Sequence, residues 1–426
     1  MDLHTMTEFL SAGRFDSQLA RVGGGEALPV RERILSLASA FEQAFGPADV
    51  RVVSAPGRTE LAGNHTDHQN GIVLAAAVTT DAMCVASAAA DNRVVLVSRG
   101  FGRIEIELDS LSPRPEEKGT SEGILRGVAA GFRSRGLEIG GLRAVMDSHV
   151  PAGGGLSSSA AFEVLAGAVF SALYNGGCTD PLTLAKIGQA AERDYFGKPS
   201  GLMDQAASAC GGITMIDFGD PDNVLVEEIA FDFRENGYVL CAVDTRTSHA
   251  DLTDDYASIP LEMRAAAAAC GKELLRYVDQ GDFESALAEG RLAFLPPRAI
   301  LRAEHFFDEN RRVPLMADAL RRRDMTEYLH LMNASGASSR EKLQNVIPSL
   351  HPEMTEMALA LDRAEELLRG KGAWRIHGGG FAGCIQCLVP EADYPAFRES
   401  MDGFYGPGAC FELRIRPCGV FVLDTE

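Results

Sequence analysis

The chain has 426 residues, 46% hydrophobic and 23% charged, which predicts two or three domains around a proper core. Sixty acidic residues against 40 basic ones leave a formal net charge of −20, the wrong sign for tracking nucleic-acid phosphates or docking on an anionic membrane. A small anionic ligand is not excluded, because local Arg, backbone N–H groups and a metal ion override the global field.

Asp2, His4 and Glu8 stand where a secretory leader would be basic and then apolar. Residues 1–29 carry a weak helix and the Gly23-Gly24-Gly25 break, and are expected to form an N-terminal appendage. Ile34, Leu37, Ala38, Phe41 and Phe45 recur at helical spacing, and Gly46-Pro47 stops that helix. A strand at 50–54 is expected to run into a turn at Ala55-Pro56-Gly57-Arg58. The apolar stretch 71–90 is interrupted by Thr79, Thr80 and Asp81, so it reads as two buried strands around a break rather than a membrane span. Strands follow at 94–97, 103–108 and 142–146, then helices at 159–174 and 182–194. After a loop at 218–223 the pattern restarts with a strand at 238–243 and helices at 261–278, 283–292, 315–331 and 354–368. Strands at 385–389, 411–415 and 420–423 close the chain. The whole predicts an α+β protein of two domains, 30–222 and 223–426. Nine cysteines, odd in number and irregular in spacing, suit reduced thiols in the cytoplasm.

Four segments carry chemistry. Pro151-Ala-Gly-Gly-Gly-Leu-Ser-Ser-Ser-Ala-Ala161 opens an amphipathic helix, where glycines allow close approach and free N–H groups favour an anion. A plain N-cap needs one serine, not three, and the Gly-Lys-Ser/Thr of a Walker loop is missing. Arg58 to His68 is a polar loop between apolar strands, with Arg58, Asn64, His65 and Asp67 suited to binding many hydroxyls. A metal site at His65, Asp67 and His68 has little support without a distant fourth ligand. Glu192 to Gln205 ends in Asp204 among Leu202, Met203, Ala206 and Ala207, a costly place for a carboxylate unless it is paired or reactive. His377 to Gly383 matches G-x-G-x-x-G, yet a strand pattern follows instead of a helix, so a dinucleotide fold is rejected. Cys384 and Cys387 fall on opposite faces of that strand and read as core thiols, and Arg321-Arg322-Arg323 reads as a solvated helix face.

These segments, in this order, resemble the GHMP small-molecule kinases and, within them, the galactokinase family. The match runs from 41 to 424 in five blocks: the Gly-Ser loop, Ala55–Arg58 with Gly63–Asp67, Glu192–Gln205, Leu331–Ser335 and Ala373–Cys384. The resemblance implies a two-domain GHMP kinase fold with its active site in the cleft, ATP and Mg²⁺, and phosphorylation of galactose at its C1 hydroxyl. It implies Asp204 facing that hydroxyl as base or electrostatic partner, with Arg58 beside it. Gly153, Gly154, Gly155, Ser157, Ser158 and Ser159 would wrap the nucleotide phosphates, and Ser158 with Glu192 would hold the metal. His65, Asp67, Gly201 and Tyr256 would grip the sugar. Its partners would be sugar and ATP, with no nucleic acid or membrane, and its state a monomer or weak homodimer.

The family usually carries Glu where this chain has Asn64, and that Glu is expected on the sugar's C6 hydroxyl. Asn bonds a hydroxyl but also tolerates a carboxylate, so galacturonate, N-acetylgalactosamine and L-arabinose stand beside galactose. A non-catalytic sugar sensor is disfavoured by the intact serines with Arg58 and Asp204, and a mevalonate or homoserine kinase by the His65-Thr-Asp67 loop.

Overall fold

The computed structural model describes residues 1–151, 155–248 and 252–425, and it is α+β. Helices α1 (Leu3–Ser11), α2 (Asp16–Val22) and α3 (Ala27–Phe45) lead into a long antiparallel pair, β1 (Arg51–Ala62) and β2 (Ile72–Ala89). There follow β3 (Arg93–Ser98), β4 (Gly102–Glu107), α4 (Ser121–Ser134), β5 (Gly141–Ser148), α5 (Ser158–Tyr174), α6 (Pro181–Ala191), α7 (Met203–Cys210), β6 (Ile213–Asp217) and β7 (Leu225–Ile229). The rest of the chain forms β8 (Tyr238–Asp244), α8 (Thr253–Ala269), α9 (Gln280–Ala288), α10 (Pro297–Arg321), α11 (Met325–Ser338) and α12 (Glu356–Leu368). It ends with β9 (Ala373–Ile376), β10 (Cys384–Pro390), α13 (Tyr394–Tyr405), β11 (Cys410–Glu412) and β12 (Phe421–Val422).

Among the described residues the first sheet runs β12-β1-β2-β5-β3-β4, with β6 and β7 continuing from β2; the second runs β11-β8-β10-β9. Two expectations about organisation are corrected here. β7 and β12 both belong to the first sheet, so the chain does not divide cleanly at residue 222. Residues 1–29 are no appendage: Leu3, Met6, Leu10, Leu19 and Val22 are buried with α3 against Val52, Met83, Val85 and Val145. Helices therefore cover both faces of the β1–β2–β5 region, which is why its strands read as near-continuous apolar runs.

Three local expectations change, each for its own physical reason. β2 is unbroken through Thr79, Thr80 and Asp81 because the buried Asp81 carboxylate is paired with Arg33 and Arg416 and accepts from Ser54. β1 likewise continues through Pro56 and Gly57, with a register shift between Pro56 and Arg58 in place of a turn. Such a bulge re-aims the side chain that follows it. The helix expected at 315–331 is two helices, because Arg323 turns left-handed (φ 55°) and the Asp324 carboxylate caps α11. Among the described residues no helix is long and apolar enough to cross a membrane.

Candidate active site

A cavity of about 410 Å³ opens where α5, α7 and α8 meet the loops after β1 and β9. Arg58, Asn64, His65, Asp67, Gly155, Ser157, Ser158, Ser159, Gly201, Asp204 and Tyr256 all line it. Gly153 and Gly154 lie outside the described residues.

The loop after β1 is held from across the molecule by α10. Gly63 N donates to Glu309 Oε2 (3.1 Å), His305 Nε2 donates to the Asn64 carbonyl (3.0 Å), and Ile72 N donates to Asn310 Oδ1 (2.8 Å). Glu309 and His305 are fully buried. Within that loop His65 takes a left-handed conformation (φ 61°), as does Ser157 at the mouth of α5 (φ 57°). Non-glycine residues in this region persist where surrounding contacts over-determine them.

Arg58, just past the bulge, grips Asp204 at the start of α7 through two parallel bonds, Nε–Oδ1 at 2.6 Å and Nη2–Oδ2 at 2.8 Å. Its Nη1 donates to the Gly155 carbonyl, and Ser157 Oγ donates to Asp204 Oδ2. Burial pushes the Asp204 carboxyl up, but the Arg58 charge and these hydrogen bonds outweigh it and hold the group below its ordinary value. Asp204 is therefore an ionised acceptor, still partly exposed to the cavity, and a weak base.

Asp67 has the opposite environment. Burial, with the Asp204 charge second, raises it from 3.8 to about 6. Gly201 makes room for the Asp67 carboxylate: a Cβ there would stand 1.7 Å from Asp67 Oδ2. Tyr256 of α8 donates its hydroxyl to the Gly380 carbonyl (2.7 Å) and packs against Phe381 and His65. Burial lowers His65 and His68 to about 4, so both are neutral at pH 7, and His65 Nε2 donates to the Gly379 carbonyl (2.9 Å).

Asn64 is spent on protein partners. Its Nδ2 donates to Glu60 Oε1 (3.0 Å) and to the Gly378 carbonyl, while its Oδ1 accepts from Asn345 Nδ2 (2.7 Å). Glu60 lines the cavity, and its counter-charge Arg375 is buried behind it on β9.

The buried Glu192 does not itself line the cavity but stands behind Ser159 and Lys198, which do; it accepts from Ser159 Oγ (3.0 Å) and Lys198 Nζ (3.0 Å) on Oε1, and from Gln205 Nε2 (2.9 Å) on Oε2. The hydroxyl touching this carboxylate is thus Ser159, while Ser158 lines the cavity. Among the described residues no group of three or more His, Cys, Asp or Glu side chains is arranged to hold a metal ion. One carboxylate with a neighbouring hydroxyl suits a hard divalent ion that keeps waters and phosphate oxygens as its other ligands. The Gln205 amide also donates to Glu163 Oε2 (2.8 Å), whose carboxyl is raised well above its ordinary value by burial and then by the Glu192 charge.

Sequence reasoning missed Glu60, Lys198, His305, Glu309, Asn345 and Arg375. Each acts through a partner distant in sequence, except Lys198, whose place in the Glu192–Gln205 segment beside Asp204 was the one available signal.

The chain matches the sequence profile of the GHMP kinases N terminal domain over 123–212 and that of the galactokinase galactose-binding signature over 39–88. It is 34% identical over 366 residues to the galactokinase of Glaesserella parasuis serovar 5, covering 84% of this chain and 90% of that one. Its fold is similar to the crystal structure of Lactococcus lactis galactokinase complexed with galactose, with a TM-score of 0.79 and 25% identity over 91% of this chain and 99% of that one. Methanococcus jannaschii mevalonate kinase shares the fold at a TM-score of 0.59, with 16% identity over 86% of this chain and 99% of the other.

Proposed function

This chain belongs to the galactokinase family of the GHMP kinases, and from that membership we propose that it transfers the terminal phosphoryl group of ATP to the C1 hydroxyl of galactose. The observation that carries the reading is the Arg58–Asp204 pair set beside Asp67, Gly201, His65 and Tyr256 in one cavity. The anomeric hydroxyl donates to Asp204, whose fixed negative charge raises the nucleophilicity of the oxygen. Asp67 and His65 accept from, and orient, the remaining hydroxyls. Arg58 keeps Asp204 ionised and offsets charge that develops on the phosphoryl group in flight.

Gly155, Ser157, Ser158 and Ser159, with Gly153 and Gly154, are assigned to the nucleotide phosphates at the N-terminus of α5. Glu192, with Ser158 or Ser159, would hold Mg²⁺, which when bound supplies neutralisation of phosphate charge. Asn64 remains part of the sugar wall in this reading, acting through Glu60 rather than by a free amide. Glu60 is the charged group on that wall, since Arg375 does not line the cavity, and this favours the neutral galactose over galacturonate. None of the nine cysteines forms a disulfide among the described residues, which supports a reducing, cytoplasmic setting.

The test is ATP consumption by the purified chain over galactose, galacturonate, N-acetylgalactosamine, L-arabinose and mevalonate. Galactose is expected to give the highest kcat/KM. Turnover of mevalonate with none of the sugars would overturn the family branch, and preference for another sugar would overturn the assigned substrate.

A further inference from the structure

We propose that Lys198 is a catalytic residue whose ammonium contacts the phosphoryl group during transfer. The proposal rests on the kinase reading above and adds a group to it. Lys198 lines the cavity on the segment between Glu192 and α7, and its Nζ stands 3.0 Å from Glu192 Oε1. Glu192 is bonded in turn to Ser159 of the Gly-Ser loop and to Gln205, the residue after Asp204. Lys198 therefore shares one cavity with the serines assigned to the nucleotide phosphates and with the acid assigned to the sugar hydroxyl.

Two observations separate this role from a structural ion pair. Among the described residues the Lys198 ammonium has one hydrogen-bond partner, so two of its three N–H donors stay available to a ligand. Its side chain is 54% exposed, and a pair that open contributes little stability. A compact point charge on a flexible stem can follow a phosphoryl group as it moves, whereas the Arg58 guanidinium is tied to Asp204 and Gly155.

In the step itself, the anomeric oxygen forms the new bond to phosphorus. The bond from phosphorus to the bridging oxygen breaks, and its electron pair leaves on ADP. The hydroxyl proton passes to Asp204 and then to solvent. Lys198 donates to the non-bridging oxygens, where charge is spread at the midpoint.

Lys198→Met and Lys198→Arg in the full chain test this by kinetics and by calorimetric binding of galactose, galactose 1-phosphate and inorganic phosphate. Lys198→Met is expected to lower kcat by about 100-fold and leave the galactose KM within about threefold. It should weaken galactose 1-phosphate and inorganic phosphate binding by about tenfold, and Lys198→Arg should restore part of both losses. A kcat within about threefold of wild type, unchanged phosphate affinity, or a parallel loss of galactose binding would overturn the role. If the wild-type chain turns over no sugar, the kinase reading fails. The difference in inorganic phosphate affinity between wild type and Lys198→Met then decides the Lys198 site alone.

Discussion

Asp204 and Asp67 are two aspartates in one cavity whose neighbours drive them in opposite directions. Arg58 and Ser157 hold Asp204 ionised, while burial and the Asp204 charge raise Asp67 to about 6. Asp204→Asn is expected to retain galactose binding within about tenfold while removing most turnover, because an ionised acceptor matters chiefly in the transition state. Calorimetry beside steady-state kinetics checks it, and near-normal turnover would remove Asp204 from the mechanism. Asp67 yields a pH signature. Above pH 6 it is a carboxylate able to accept from sugar hydroxyls, and below pH 6 it takes up a proton and loses that capacity. The galactose KM should therefore rise by roughly tenfold as the pH falls from 7 to 5. Asp67→Asn should raise KM throughout and flatten the profile.

At the scale of elements, the seam between β1 of the first sheet and β9 and β10 of the second is polar and buried. Glu60 pairs with Arg375, and Thr59 Oγ1 accepts from Gln386 Nε2 (2.6 Å) and meets His377 Nε2 (2.9 Å). Arg375→Met leaves the Glu60 carboxylate buried and uncompensated, and is expected to cost about 3–5 kcal/mol in chemical unfolding. Adding Glu60→Gln should recover part of that loss, whereas simple additivity would show that the pair is not coupled. This seam was hidden in the sequence because its partners are 315 residues apart. The motif loops were legible for the opposite reason. Arg58, Asn64, His65 and Asp67 stand within ten residues, and the glycines and serines of 153–159 advertise a backbone conformation rather than a distant contact.

The whole molecule depends on segments that looked peripheral. α1 and α2 bury Leu3, Met6, Leu10, Leu19 and Val22 on the outer face of the first sheet, and β12 returns from the far end of the chain to pair with β1. Leu10→Ala is expected to cost about 2–5 kcal/mol, and removal of residues 1–22 to yield protein that aggregates or melts at lower temperature. A truncated chain with a wild-type Tm would show that this layer is dispensable.

By itself the sequence determined the α+β class, the family, and many of the residues that line the cavity, Arg58, Asp67 and Asp204 among them, though not Glu60 or Lys198. Those features follow from local periodicity and from short motifs whose chemistry is carried by spacing. Only the tertiary structure decided that Asp81 sits inside a continuous strand, that Asn64 is consumed by Glu60, Gly378 and Asn345, and that Lys198 stands beside Glu192. A buried polar group takes its meaning from the partner that satisfies it. Here most of those partners come from another element, brought close by folding.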